Sequence, residues 1–189
     1  MEENRAKLIA AARKAFTAKG FAASSMDELT ADVGLTRGAL YHGFGDKIGL
    51  LSAVVAEVDG EMAARAQRAG ARAGNGWEAL LAEGAAYIQM ALDPEVRRVV
   101  LLDGPAFLGD PSRWPTQNAC LQITKQAVAK LVSEGVMRPV DVEAAARLLS
   151  GAALNAALWV AASDEPQSVL PKAIEAFRLM ATGLLVERN

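Results

Sequence analysis

Ser25-Met-Asp-Glu-Leu-Thr-Ala-Asp-Val-Gly34-Leu-Thr-Arg-Gly-Ala-Leu-Tyr41-His-Gly-Phe44 carries two short helical patterns that meet at a glycine. Leu29 and Val33 give the first half an apolar face, and Leu35, Leu40 and Phe44 give the second half another. Two helices this short cannot bury a core alone. The pattern is that of a helix-turn-helix, in which one helix is held by its neighbours and presented outward. The major groove of DNA is wide enough to admit such a helix, and it is the surface this shape best fits.

The local chemistry predicts each boundary. Ser25 with Glu28 three residues on reads as a capping box, in which each residue satisfies a free amide of the other. Gly34 suits the left-handed backbone position that ends a helix and turns the chain. Thr36 is a good N-cap for a second helix through Arg37-Gly-Ala-Leu-Tyr41-His42. Gly38 and Ala39 leave the front of that helix nearly bare, so that its backbone can approach a surface closely. Gly43 and Gly45 are expected to end it, and Asp46 to cap the next helix, with Lys47 in its first turn.

Working outward, residues 4–19 form a helix whose buried stripe is Ile9, Ala12 and Phe16, flanked by Leu8 and Ala15. A long amphipathic helix begins at Asp46 and buries Leu50, Leu51, Val54, Val55, Val58 and Met62. It fades in the Ala/Gly/Arg-rich stretch Arg65 to Gly76, the clearest boundary in the chain. Helices are then expected over 77–92, 94–102, 116–134, 139–163 and 166–186. The three prolines between Asp103 and Pro115 mark an irregular loop. The expected architecture is all-α, with about nine helices and no strand: a three-helix head at 2–62 and a helical body at 63–189.

Composition narrows the class. Alanine and leucine dominate and β-branched residues are sparse, which favours helix over sheet. The single cysteine, Cys120, excludes an internal disulfide and suits a reducing compartment. No basic segment precedes an apolar run at the N-terminus, and the most apolar stretch, 148–162, is short for a bilayer span. A cytoplasmic protein without a membrane partner is expected. Residues 1–50 carry seven Lys/Arg against six Asp/Glu, and the remainder thirteen against sixteen. The head is only mildly basic, so any contact with DNA rests on local placement of charge.

The ordered pattern Ile9, Ala11-Ala12, Phe16, Gly20-Phe21, Met26-Asp-Glu-Leu29, Val33-Gly34, Thr36-Arg-Gly-Ala-Leu-Tyr41, Phe44, Asp46-Lys47 and Leu50 resembles the TetR (tetracycline repressor) family of transcriptional regulators. The resemblance covers roughly the first sixty residues. Thr30 and Asp32 depart from it where the family usually has alanines, and Gly43 where it often has an aromatic. The resemblance implies a homodimer formed by the last two helices, a double-stranded operator as partner, and a small-molecule effector held in the helical body. It implies no cofactor.

For contact with DNA, the residues expected are Ser25, Thr36, Arg37, Gly38, Ala39, Tyr41, His42 and Lys47. Arg37 can fork onto a guanine or hold a phosphate. Gly38 and Ala39 permit close approach, and Tyr41 and His42 offer polar groups to the backbone. Lys47 sits at a helix N-terminus that favours anions. Ser25 and Thr36 either cap alone or cap and hold phosphate. For a pocket, the aromatic and apolar candidates are Tyr87, Met90, Leu102, Phe107, Trp114, Cys120 and Trp159, with Gln117 and Asn155 as polar handles. Asn155 interrupts an apolar helix and is expected to be buried with a partner.

Other classes fare worse. The chain has no Gly-x-Ser-x-Gly, no phosphate-binding glycine loop and no His-Glu-x-x-His. One histidine and one cysteine far apart do not make a nucleophile–base pair, and they leave no metal site. No catalytic residue is assigned. The best alternative is an all-helical adaptor that binds another protein without sequence-specific contact to DNA, with a small enzyme ranked behind it. The expected function is a ligand-responsive repressor released from a palindromic operator by a small, largely apolar molecule.

Overall fold

The computed structural model describes residues 2–187. Among them lie nine α-helices: α1 (Glu2–Lys19), α2 (Met26–Ala31), α3 (Arg37–Phe44), α4 (Lys47–Gly70), α5 (Gly76–Gln89), α6 (Gly104–Leu108), α7 (Pro115–Ser133), α8 (Val142–Ala162) and α9 (Pro166–Thr182). The described residues contain no strand, only an isolated antiparallel bridge between Met137 and Leu185. The all-α architecture read from the sequence is the architecture observed.

Three local expectations are corrected. Residues 103–115 are mostly helical turns rather than an irregular loop, comprising α6 and a 3₁₀ turn at Pro111–Arg113. Their prolines stand in first turns, where a missing N–H costs nothing. The helix expected over 94–102 is π-helical, Val96–Asp103. Gly43 lies inside α3, and the cap is Gly45, whose φ of 79° suits glycine alone.

The residues group into two compact units. One comprises the residues up to Asp59 together with Asp93–Pro111; the other comprises Gly60–Leu92 and the residues from Ser112 on. The division falls within α4, which contributes to both. The core of the first unit is Leu8, Ala12, Phe16, Leu29, Leu40, Leu50, Leu51 and Val54, all 1 % exposed or less, with Val99 and Val100 of the π-helical segment. This is the stripe expected on α1 and α4. The π-helical segment is tied to α1 by side chains. Arg13 forks onto Glu95 at 2.9 and 2.8 Å, and Asp103 accepts the Phe21 amide at 2.7 Å.

In the second unit α8 is the central helix, packed against α5, α7 and α9 through Ala145, Ala146, Leu149, Ala153, Ala157 and Val160. Small residues here allow backbones to approach closely. It is the one described helix long and apolar enough to cross a membrane, and its buried face is spent on these neighbours. After α9 the chain returns to the turn between α7 and α8. Arg138 donates its backbone N–H to Leu184 at 2.8 Å and its Nε to the Leu185 carbonyl at 2.8 Å, and Val186 donates to Val136 at 3.1 Å.

Candidate nucleic-acid interface and pocket

Capping defines α2 and α3. The Ser25 hydroxyl accepts the Asp27 amide at 3.2 Å, so Ser25 is the N-cap. The reciprocal half of the capping box does not form, because Glu28 pairs with Lys19 at 3.1 Å instead. Gly34 takes φ +67° and turns the chain. Thr36 Oγ1 accepts the Ala39 amide at 3.2 Å and opens α3. Asp46 Oδ1 accepts the Gly49 amide at 2.7 Å and opens α4.

These caps fix the orientation of α3. Leu40 is wholly buried and anchors the helix, so its opposite side must face outward. Arg37, Gly38, Tyr41 and His42 are exposed, Tyr41 by 50 %, and Ala39 is half-buried. The residues singled out on α3 are therefore brought together on one outward stripe, with Thr36 exposed beside them. Besides the capping hydroxyls of Ser25 and Thr36, the two cationic candidates have intramolecular partners. Arg37 Nε lies 2.9 Å from Asp27 Oδ1, an exposed pair. Lys47 sits 4.3 Å over the Phe21 ring and donates to the Ala22 carbonyl at 3.4 Å. Burial lowers the Lys47 ammonium from its ordinary range, opposed by the charge of Asp103.

Two features of this region were not read from the sequence. Arg5 donates to the Gly43 carbonyl at 2.9 Å and lies 4.4 Å over the Phe44 ring, tying α1 to the end of α3. Gly49 packs under the Phe44 carbonyl with no room for a Cβ. A glycine in the first turn of a helix gives no sequence signal of such a contact.

The second unit holds a cavity of about 100 Å³. Its floor and walls come from Ala63, Ala66 and Gln67 of α4, Leu80, Glu83, Gly84 and Tyr87 of α5, Gln117, Cys120, Ile123 and Thr124 of α7, and Leu149, Ser150, Ala153 and Phe177. Three of the pocket candidates meet here: Tyr87, Gln117 and Cys120, with Gln117 Nε2 3.3 Å from the Tyr87 hydroxyl. Met90 and Trp114 are buried outside the lining, and the Trp114 indole N–H has no partner. Leu102 and Phe107 belong to the other unit, where Phe107 packs on Phe21 with ring centroids 4.5 Å apart. Asn155 is exposed rather than buried, and Trp159 is 52 % exposed. Both follow from the phase of α8, whose inward face is set by Leu149, Ala153 and Ala157.

Glu83 is the one charged lining residue, and sequence reasoning missed it. It is half-buried, and burial raises its carboxyl above the usual carboxylate range. Among the described residues, no group of His, Cys, Asp and Glu is arranged to hold a metal ion.

A helix-turn-helix with a bare outward stripe, followed by a helical body, defines a DNA-binding transcriptional regulator. Comparison with known proteins gives the family. Residues 8–54 match the model for bacterial regulatory proteins of the tetR family, and residues 77–184 match the tetracyclin repressor-like C-terminal domain. The chain belongs to the TetR family of transcriptional regulators. A TetR-family transcriptional regulator from Pectobacterium atrosepticum is 43 % identical, with a TM-score of 0.91 over 100 % of this chain and 97 % of that one. The HTH-type transcriptional regulator SrpR of Pseudomonas putida is 40 % identical over 55 residues, 29 % of this chain. That match spans 26 % of SrpR's own length. RolR, solved in complex with resorcinol, is 17 % identical with a TM-score of 0.69, covering 100 % of this chain and 97 % of its own, which shows the fold alone.

Proposed function

We propose that this regulator is a repressor that binds a palindromic DNA operator as a homodimer and releases it when a small, largely apolar molecule enters the second-unit cavity. The observation that carries the reading is the outward stripe of α3, where Arg37, Gly38, Tyr41 and His42 stand exposed above a buried Leu40. Arg37 reads a base edge or a phosphate, Tyr41 and His42 hold backbone, and Ser25, Thr36 and Lys47 border the same face. Residues 2–62 form the DNA-binding part, and those from 63 on form the part that binds ligand and dimerises.

Dimerisation through α8 and α9 is supported by their exposed apolar residues: Leu148 at 72 %, Leu179 at 65 %, and Trp159 and Met180 at 52 % each. So much apolar surface on adjacent helices suits an isologous two-fold interface. Two-fold symmetry would set paired α3 helices against successive major grooves, about 34–36 Å apart. Ligand binding would favour a dimer in which that spacing is lost, with α4 as lever because it runs through both units. The cavity, with Tyr87, Gln117 and Cys120 in its wall, supports a ligand with an apolar body and a polar handle. The protein would act in the cytoplasm, without a cofactor and without catalysis.

Fluorescence anisotropy on the DNA upstream of its own coding region tests the reading. Sequence-selective binding that a folded Arg37→Ala/Tyr41→Ala double variant loses is the expected result. Equal, weak binding to that DNA, to a scrambled duplex and to a genomic fragment library would overturn it. Size-exclusion chromatography with light scattering tests the dimer, which Trp159→Arg with Leu179→Glu should convert to monomer.

A further inference from the structure

The Glu83 carboxylate is the one charge in a wall otherwise built from apolar, aromatic and neutral polar side chains. Among the described residues none donates a hydrogen bond to it and no Lys or Arg pairs with it. Its Oε1 packs against Gly70, one turn beyond Ala66 and Gln67 on α4, so the carboxylate marks one end of the cavity. Tyr87 follows Glu83 at i+4 on α5, which brings the two side chains to the same helix face. Phe177 closes the same wall, its ring pressed onto Gly84, where a Cβ would not fit. A half-buried carboxylate in a wall that also holds two aromatic rings suits a cation: the acid supplies countercharge, and an aromatic ring attracts a cation through its quadrupole.

We propose that the effector of this pocket is a small amphiphilic ammonium compound, an apolar body with one protonated nitrogen, and that Glu83 is the residue that receives the nitrogen. The inference rests on the ligand-responsive reading above and names the ligand class for that site. A neutral ligand can at most donate a hydrogen bond to Glu83, and a carboxylate ligand adds a like charge to it. A cation alone supplies the countercharge that keeps the half-buried acid ionised. A cavity of about 100 Å³ is of the order that seats a single ring.

Three probes that share a ring and differ in head group test the proposal: phenethylammonium, 2-phenylethanol and phenylacetate. Each is titrated calorimetrically into the full chain, and into Glu83→Gln and Glu83→Asp variants whose folding is checked by thermal melts. Phenethylammonium should bind the wild type about tenfold or more tighter than 2-phenylethanol, with phenylacetate weakest. Glu83→Gln should erase that preference while 2-phenylethanol stays within about threefold of its wild-type affinity, and Glu83→Asp should keep part of the preference. An ammonium no tighter than the alcohol, a preference that survives Glu83→Gln, or no binding by any probe would overturn the assignment. Operator release, read in parallel by anisotropy, separates the two ideas. Release by the alcohol alone would sink the role of Glu83 and leave ligand control standing. Glu83-dependent ammonium binding that never moves the operator would keep the site and sink ligand control.

Discussion

Arg37 Nε lies 2.9 Å from Asp27 Oδ1, so the arginine proposed to reach a base is already held by an acid on the preceding helix. Both side chains are largely exposed, and an exposed pair of this kind is worth about 0–1 kcal/mol. A DNA contact that uses Arg37 Nε competes with Asp27. The acid also places a negative charge beside the proposed phosphate-facing surface.

Asp27→Asn should therefore tighten operator binding, by about threefold to tenfold at low salt, while changing folding stability by less than about 0.5 kcal/mol. Anisotropy titrations at two salt concentrations check this. The gain should shrink as salt rises, because both the pair and the repulsion are screened.

Gly49 and Gly43 should respond to alanine with opposite signs. Gly49→Ala places a methyl group against the Phe44 carbonyl, so the α3–α4 junction must shift, at a cost of about 1–3 kcal/mol. Gly43→Ala meets nothing within 4 Å inside a helix and should stabilise by about 0.5–1 kcal/mol. Chemical denaturation of the two variants is the measurement. Equal destabilisation would mean that the close approach at Gly49 is not what limits it.

Asp103 is 13 % exposed in its side chain and accepts the Phe21 amide, while Arg98 Nε lies 3.4 Å from the same oxygen. Asp103→Ala should cost about 1.5–3 kcal/mol, the range for a hydrogen bond to a charged group, and Asp103→Asn less, since an acceptor remains. Amide exchange at Phe21 should quicken most in the alanine variant.

Glu83 gives a pH dependence with a definite sign. Its carboxyl is raised in the folded state, so between 4.5 and the folded value the native protein binds more protons than the unfolded chain. Its contribution to stability is full below 4.5 and is lost as pH rises through the folded value. Glu83→Gln should thus melt higher than wild type at neutral pH, and the difference should vanish toward acid. A melting curve series against pH tests it, and a gap independent of pH would assign the effect to packing.

How far the sequence could be read follows from what kind of signal each feature leaves. Ser25, Gly34, Thr36 and Asp46 act on their own neighbourhood, so α2, the turn and α3 were legible from residue type and spacing. The prolines at 105 and 115 were read as breakers because proline in a first turn and proline in a loop look alike in isolation. Gly43 and Gly45 look alike as helix ends, and only Gly45 carries the positive φ. In the pocket, Tyr87, Gln117 and Cys120 stood out by chemistry, whereas Ala63, Ala66, Gly84 and Ala153 line it only because other helices face them. Asn155 and Trp159 lie on the outward side of α8 for a different reason. A helix apolar on most sides has no phase in its sequence, and only its packed neighbours decide which side is inside.

The hydrogen bonds that join Val136 and Arg138 to Leu184, Leu185 and Val186 have a mechanical consequence. Arg138 and Leu185 stand 47 residues apart, and between them lie the whole of α8 and α9. The two helices thus form a ring sealed by a non-covalent clasp rather than a hairpin with a free end. A helix sealed in this way cannot fray from its far terminus, and its opening is tied to that of its neighbour. In hydrogen exchange α8 and α9 would behave as one cooperative block, and cutting the clasp at Arg138 would let α9 loosen alone.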